Sequence, residues 1–431
     1  TLVADPIDHI TKSLSLPAYN TQGVWIKVQI PKDVSPGIYK GVITVMNDKD
    51  IIDELHITIE VIDRLLPKPE NWSFFLDLWQ NPFSIARIHN TELWSDDHFE
   101  AMKPYMEMYK NAGGKSITAS IMHKPWNAQT YDYFETMVTW IKKADGTWMF
   151  DKWVEFMIGI GINQSITCYS MIPWKLSFQY FDQATNKLKF IDMKPGDNLF
   201  QEVWGEMLSS FSKHLRKKNW FDITYISMDE RPMEAMKETI KVIKSSDSEF
   251  NISLPGALHE ELSDDIDYFC VPLRMKYPEE MRENRKKQNK ITTYYTSCEE
   301  AFPNTFTFSS PADCEWFGWY AAKEDLHGYL RWAYNSCVAD PITDSRFYTW
   351  AAGDTYFIYP GAITSIRYER LIAGIQAYEK VRILKKEFTL SKNKKGLRRL
   401  EEALSLFDES KLDASTSSDF TNQACKIVNS L

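Results

Sequence analysis

Between residues 72 and 337 the chain alternates short apolar runs with longer amphipathic stretches, and this limits its possible folds more than any other feature. The runs fall at 73–78, 116–122, 164–171, 223–228, 250–254, 266–271, 291–296 and 328–334. Each has strand length and is mostly apolar, as strands buried on both faces of a parallel sheet are. Helical periodicity fills 96–112, 151–161, 199–218, 233–245, 279–287 and 313–326. Eight strands with helices between them predict an α/β fold, a (β/α)8 TIM barrel, over an open doubly wound sheet. Neither G-x-G-x-x-G nor G-x-x-x-x-G-K-[ST] occurs, so nucleotide binding loses its usual support.

The flanks read differently. Val24, Ile26, Val28 and Ile30 alternate with other residues, and two further runs, 39–45 and 55–61, are separated by the polar turn Asn47-Asp48-Lys49-Asp50. Three strands are too few to close a sandwich, so residues 1–67 are expected either to be an excerpt of a β-sandwich domain or to lean on the next domain. Leu66-Pro67-Lys68-Pro69 reads as a stiff linker. The barrel is then expected over 68–362 and a helical C-terminal region over 363–431. Lys385, Lys386, Lys392, Lys394, Lys395, Arg398 and Arg399 in that region read as a solvated helix end.

Composition excludes several classes. A net charge of −9 over 431 residues argues against a broad grip on nucleic acid or anionic lipid. No apolar stretch approaches the ~18 residues of a spanning helix, so no membrane insertion is expected. The residues from Thr1 to Asp5 show neither an initiator Met nor a leader pattern, so any export signal is expected to be already removed or never present. The six cysteines lie far apart with no C-x-x-C, so they read mostly as small buried hydrophobes. No metal and no cofactor are expected. The unusual quantity is aromatic content: 15 Trp, 21 Tyr and 24 Phe.

Chemistry in such a barrel sits at the C-terminal ends of the strands. The sharpest pattern there is Met228-Asp229-Glu230-Arg231-Pro232, where a strand ends in two adjacent carboxylates and Pro232 can open the next helix. Such acids could merely cap that helix and pair with Arg231. At the end of a barrel strand, in a chain this rich in Trp, they point instead to sugar chemistry, because sugar C–H faces stack on aromatic rings. Adjacent acids reach one ligand only where the strand is breaking into a loop. Other strand ends offer Gln80, His123, Trp126, Tyr169, Trp174, His259, Tyr295, Trp332 and Asn335 as substrate-binding groups.

Consecutive carboxylates rarely reach the ~5 Å or ~6.5–9.5 Å placements across the bond used by ordinary retaining or inverting glycosidases. They suit substrate-assisted catalysis, in which a 2-acetamido oxygen of the sugar attacks the anomeric carbon. One acid steadies the resulting oxazolinium while its neighbour protonates the departing oxygen. That route needs a 2-acetamido sugar and predicts retention of configuration.

The sequence resembles glycoside hydrolase family 123, the β-N-acetylgalactosaminidases. Matching segments are Pro36–Gly41, His123-Lys124-Pro125-Trp126-Asn127, Asp145-Gly146-Thr147-Trp148 and the segment 168–174. More specific are Met228-Asp229-Glu230-Arg231-Pro232, the segment 328–335, and Gly353-Asp354 through Tyr359-Pro360-Gly361. Ser365-Ile366-Arg367-Tyr368-Glu369 opens the C-terminal part in the family manner, and the likeness runs over about residues 20 to 380.

The resemblance implies an exo-enzyme that frees terminal β-linked N-acetylgalactosamine from glycans such as glycosphingolipids, with a periplasmic or secreted location. Carried over, Asp229 is the oxazolinium-stabilising acid and Glu230 the general acid/base. Tyr295 becomes a partner for the acetamido carbonyl and Trp332 a floor for the sugar ring. The family also implies a fuller sandwich ahead of the barrel, so by this resemblance residues 1–67 are expected to be a β-sandwich portion that is N-terminally incomplete. One departure lies in the last long helix: an acidic Gly-x-Glu-Asp-Tyr-Glu pattern is replaced by Gly374-Ile375-Gln376-Ala377-Tyr378-Glu379. The role of those acids, in the site or in bracing the barrel, is therefore open. The same chemistry on β-linked N-acetylglucosamine and a non-catalytic glycan binder are the alternative readings.

Overall fold

The computed structural model describes residues 3–8, 13–138, 149–413 and 416–431. Eight parallel strands stand in sequence order around one sheet. They are β1 (Phe75–Leu78), β2 (Ser116–Ser120), β3 (Ser165–Tyr169), β4 (Thr224–Ser227), β5 (Asn251–Pro255), β6 (Tyr268–Pro272), β7 (Ile291–Tyr295) and β8 (Gly328–Arg331). Each overlaps one of the apolar runs, and the six helical stretches reappear between them, from Asp96–Asn111 to Pro311–Lys323. The chain folds as the TIM barrel that its pattern predicts. The motif segment 145–148 lies outside the described residues.

The ring closes between β8 and β1 by a full ladder, and between β1 and β2 largely through side chains. Between β1 and β2 the backbone contact is reduced to that of Leu76 with Gly114, just ahead of β2. Gln80 finishes the seam. Its Nε2 donates to the carbonyls of Leu78 and Ser116, and its Oε1 accepts from Thr118 N at 2.9 Å. The Tyr109 hydroxyl donates to Leu76 O at 2.9 Å from the helix behind. A fully buried amide meeting backbone groups in this way satisfies polar atoms that would otherwise be costly to bury.

The C-terminal helical region opens with Ile366–Leu390, which follows β8 and packs along Pro311–Lys323. Glu379 on this helix is fully buried and accepts from Ser73 N and Phe74 N, at 2.6 and 2.9 Å. It thereby braces the entry to β1, which settles what the remaining acid of the divergent Gly374–Glu379 segment does. The basic residues from Lys385 to Arg399 lie on largely exposed helix faces, as expected. No helix of the described residues is long and apolar enough to cross a membrane.

The N-terminal reading needs one correction. Gly37–Asn47 and Asp50–Val61 form an antiparallel hairpin, but 24–30 forms no strand, and Val24, Ile26 and Val28 are half exposed or more. Alternation records which face of a strand could be buried; it does not supply the neighbouring ladder that a strand requires. A shorter segment does pair: Pro6–Ile7 lies antiparallel to Thr364–Ser365. Beside it Asp5 forms a buried bidentate pair with Arg367, both contacts at 2.9 Å.

Candidate active site

At the C-terminal end of the barrel a cavity of about 190 Å³ is bordered by Trp79, Trp126, Trp174, Asp229, Glu230, Tyr295, Trp332, Trp350 and Asp354, among others. Strand β4 ends at Ser227, and the chain turns into a loop before helix Met233–Ser246. Asp229 and Glu230 therefore both reach this cavity despite being consecutive.

Their environments differ. Asp229 is 6% exposed, with Oδ2 accepting from Trp174 Nε1 at 2.8 Å and Oδ1 from Arg231 Nε at 3.2 Å. Arg231 Nε also donates to Ile172 O at 3.1 Å, and its guanidinium lies over the Trp174 ring. Burial pushes the Asp229 carboxyl above the usual range, the neighbouring Glu230 charge adds to this, and Arg231 and Trp174 pull the other way. Glu230 is exposed to solvent and accepts a hydrogen bond from the Tyr295 hydroxyl. Burial and the Glu230 charge hold that phenol far above its ordinary pKa, so Tyr295 acts as a donor.

The aromatic walls come from several loops. Trp79 and Trp126 stack with centroids 4.5 Å apart, and Tyr169 packs beneath them, 4.5 Å from Trp79 and 5.2 Å from Trp126. The Trp126 indole N–H is buried and has no hydrogen-bond partner among the described residues. Trp332 meets Trp350 edge to face. Asp354 is paired with Arg331 of β8, both almost wholly buried. Gly353 sits at φ +78, where a Cβ would also lie 2.6 Å from Thr307, so only glycine lets the loop deliver Asp354 to this place.

Of the residues expected to bind substrate, Trp126, Trp174, Tyr295 and Trp332 line the cavity with both acids. Tyr169 supports its wall. Three are placed elsewhere. Gln80 is committed to the β1–β2 seam, and Asn335 exchanges hydrogen bonds with the backbone of Asn81, both at 2.8 Å. His123 pairs with Glu135 at 2.7 Å. Gln80 and Asn335 spend their amides on backbone groups and His123 spends Nδ1 on Glu135, and none of the three borders the cavity, which is the correction to their expected role. His259 lines a second recess beside Glu230.

Trp350 and Asp354 also border the cavity but were not among the expected binding groups, and Trp79 borders it from the end of β1. Trp79 follows β1 directly, and Trp350 and Asp354 belong to the long connection after β8. The signal that could have found Trp350 and Asp354 is the length of that connection, since long loops in compact domains are commonly functional. Among the described residues no cluster of His, Cys, Asp and Glu could hold a metal ion.

Comparison with known proteins is consistent with this geometry. The model of the glycoside hydrolase 123 catalytic domain matches residues 79–384, and that of the family's N-terminal domain matches residues 1–47. Among solved structures, a family 123 glycoside hydrolase from Clostridium perfringens, studied for glycolipid glycan hydrolysis, is 30% identical. That match covers 94% of this chain and 77% of that one, with a TM-score of 0.83. A family 5 glycoside hydrolase from Bacteroides vulgatus is 10% identical over 72% of this chain and 66% of its own, with a TM-score of 0.38. A family 5 xyloglucanase from Paenibacillus pabuli is 9% identical over 71% and 99%, with a TM-score of 0.39. These last two scores are too low to bear on function. None of the curated proteins compared matches the chain.

Proposed function

The chain belongs to glycoside hydrolase family 123, and on that premise we propose that it is a retaining exo-enzyme releasing terminal β-linked N-acetylgalactosamine from glycans such as glycosphingolipids. The observation that carries the reading is the pair Asp229 and Glu230: consecutive, bordering one cavity, the first buried and gripped on both oxygens, the second open to solvent.

In this reading the 2-acetamido oxygen attacks the anomeric carbon from within the substrate. Asp229, held by Trp174 and Arg231, accepts the acetamido N–H and offsets the positive charge of the oxazolinium as it forms. Glu230 gives its proton to the glycosidic oxygen, then takes one from the water that opens the ring, so configuration is retained. The Tyr295 hydroxyl transfers from Glu230 to the acetamido oxygen when substrate enters. Trp332 supplies an apolar floor for the sugar ring.

The test is release of nitrophenol from the β-N-acetylgalactosaminide, with the β-N-acetylglucosaminide and β-galactoside in parallel. Turnover of the first alone is expected, with β-configured sugar as the first product by NMR. Turnover of the β-galactoside would show that the acetamido group is not the nucleophile. A preference for the glucosaminide would move the substrate assignment to N-acetylglucosamine. Binding of an oxazoline mimic without turnover of any substrate would make the protein a glycan binder.

A further inference from the structure

The segment ahead of the barrel reaches the wall of the cavity through one carboxylate. Asp5 lies beside the short pairing of Pro6–Ile7 with Thr364–Ser365, and Ile366 N donates to its carbonyl at 2.8 Å. Oδ1 accepts from Arg367 Nε and Oδ2 from Arg367 Nη2, both at 2.9 Å. Oδ2 also accepts from the Tyr359 hydroxyl at 2.7 Å. The Asp5 and Arg367 side chains are only 3% and 2% exposed, so solvent screens neither ion.

Arg367 spends its remaining terminal nitrogen on two loops of the active face. Nη1 donates to Thr305 O, after β7, and to Gly353 O at 3.0 Å, in the connection after β8. Those loops are also joined directly, Thr307 N donating to Ala352 O at 2.9 Å. Gly353 immediately precedes Asp354, and Trp350 lies on the same connection; both Asp354 and Trp350 border the cavity. Asp354 gives Oδ1 to Arg331, while its Oδ2 is buried with no hydrogen-bond partner among the described residues. The place of that oxygen is set by Arg331 on one side and by the Gly353 backbone on the other.

The fork of the guanidinium makes this arrangement depend on Asp5. With Nε and Nη2 both taken by one carboxylate, the plane of Arg367 is fixed and Nη1 is aimed at the two carbonyls. Without the carboxylate the buried guanidinium is an uncompensated charge that must shift toward water, and the shift releases both loops. Asp229 and Glu230 follow β4 and lie on neither loop. We infer that Asp5 is a positioning residue for substrate binding: through Arg367 it holds the connection that carries Trp350 and Asp354 against the cavity. The inference rests on the reading of that cavity as the active site. It makes the segment ahead of the barrel a support of the site's wall.

The experiment measures KM and kcat separately in wild type, Asp5→Asn and Arg367→Lys, on whichever nitrophenyl glycoside the wild type turns over, with Tm as the control of folding. Asn keeps the size of Asp5 without its charge; Lys keeps the charge of Arg367 without the fork that spans both loops. A loosened wall weakens substrate and transition state alike, so the loss falls on KM. Each substitution is expected to raise KM by about tenfold, the scale of a lost charged hydrogen bond, with kcat within about threefold of wild type. Where Asp5→Asn does not fold, Arg367→Lys carries the test. An unchanged KM in folded variants, with or without a lower Tm, would make the pair a structural lock alone and overturn the inference. A loss confined to kcat would overturn it too, because the two loops carry neither acid. No wild-type turnover of any nitrophenyl glycoside would overturn the reading of the site instead, and the inference with it.

Discussion

The indole N–H of Trp174 meets Oδ2 of Asp229 at 2.8 Å, across the 55 residues that separate them in sequence. With Arg231 on the other oxygen, the carboxylate is fixed in orientation before any ligand arrives. Burial raises the Asp229 pKa, and the Trp174 hydrogen bond is one of the forces that lower it.

Replacing Trp174 by Phe removes that donor, keeps most of the ring, and destabilises the charged form of Asp229. The folded-state pKa should therefore rise further, because a lost hydrogen bond to the anion favours the proton. The acid limb of kcat/KM against pH should move upward by roughly half to one pH unit, the equivalent of about 1 kcal/mol. An acid limb that stays in place would show that Trp174 is a wall and nothing more.

Asp229→Asn should lower kcat by about a hundred- to a thousandfold, the usual scale for removing a preorganised electrostatic group. The fold should hold, because Asn keeps the shape and an acceptor oxygen, and the burial that raises the Asp229 pKa already works against its charged form. Turnover within a few-fold of wild type, in protein of normal Tm, would contradict the assignment of Asp229 to the oxazolinium.

Glu230→Gln removes a proton donor that only poor leaving groups need. Nitrophenyl glycosides should lose far less rate than the methyl glycoside, whose departing oxygen is strongly basic. Measuring kcat/KM for both in one enzyme preparation separates the roles. Equal losses would take Glu230 out of the leaving-group step.

The barrel was readable because a strand buried on both faces leaves an apolar run with little alternation, and eight such runs carry their own order. Asp229 and Glu230 were readable because two acids are unusual at the end of such a run. Gln80 and Asn335 were not, since an amide at a strand end serves sugar hydroxyls and backbone carbonyls equally well. Only the open seam between β1 and β2 decides for Gln80. The strand expected at 24–30 failed for a related reason: periodicity belongs to one segment, pairing to two. Trp350 and Asp354 come from a connection whose path is set by tertiary contacts, including the donation of Arg367 Nη1 to Gly353 O at 3.0 Å.

Inside the barrel Asp77 is fully buried on β1, with Oδ2 accepting from Tyr268 at 3.1 Å. Burial pushes its carboxyl up to about 7 against 3.8 for the free group. The folded state thus holds a proton that the unfolded chain has released, and stability must fall as pH rises from about 4 to about 7. At 1.36 kcal/mol per pKa unit the loss is about 4 kcal/mol. Denaturant melts of wild type and Asp77→Asn across this range should diverge, the variant losing less stability as pH rises. Parallel pH profiles would place the proton elsewhere.

Helices Pro311–Lys323 and Ile366–Leu390 cross backbone to backbone at two glycines. A Cβ on Gly374 would lie 2.4 Å from Glu315 O, and one on Gly318 would lie 1.9 Å from Gly374 O. Alanine at 374 gains about 1 kcal/mol in helix propensity. Against this, the atoms it meets are backbone, which no rotamer change can withdraw, so the helices must separate at a cost of about 1–3 kcal/mol or more. The overlap wins, and Gly374→Ala should lower Tm by several degrees. The damage should reach further than the helix pair, because Ile366–Leu390 also carries Glu379, whose carboxylate receives the amides of Ser73 and Phe74 at the entry to β1. Hydrogen exchange of those two amides should quicken in the variant. A Tm at or above that of wild type would mean that the two helices can part without loss, and that Glu379 is not held in place by their contact.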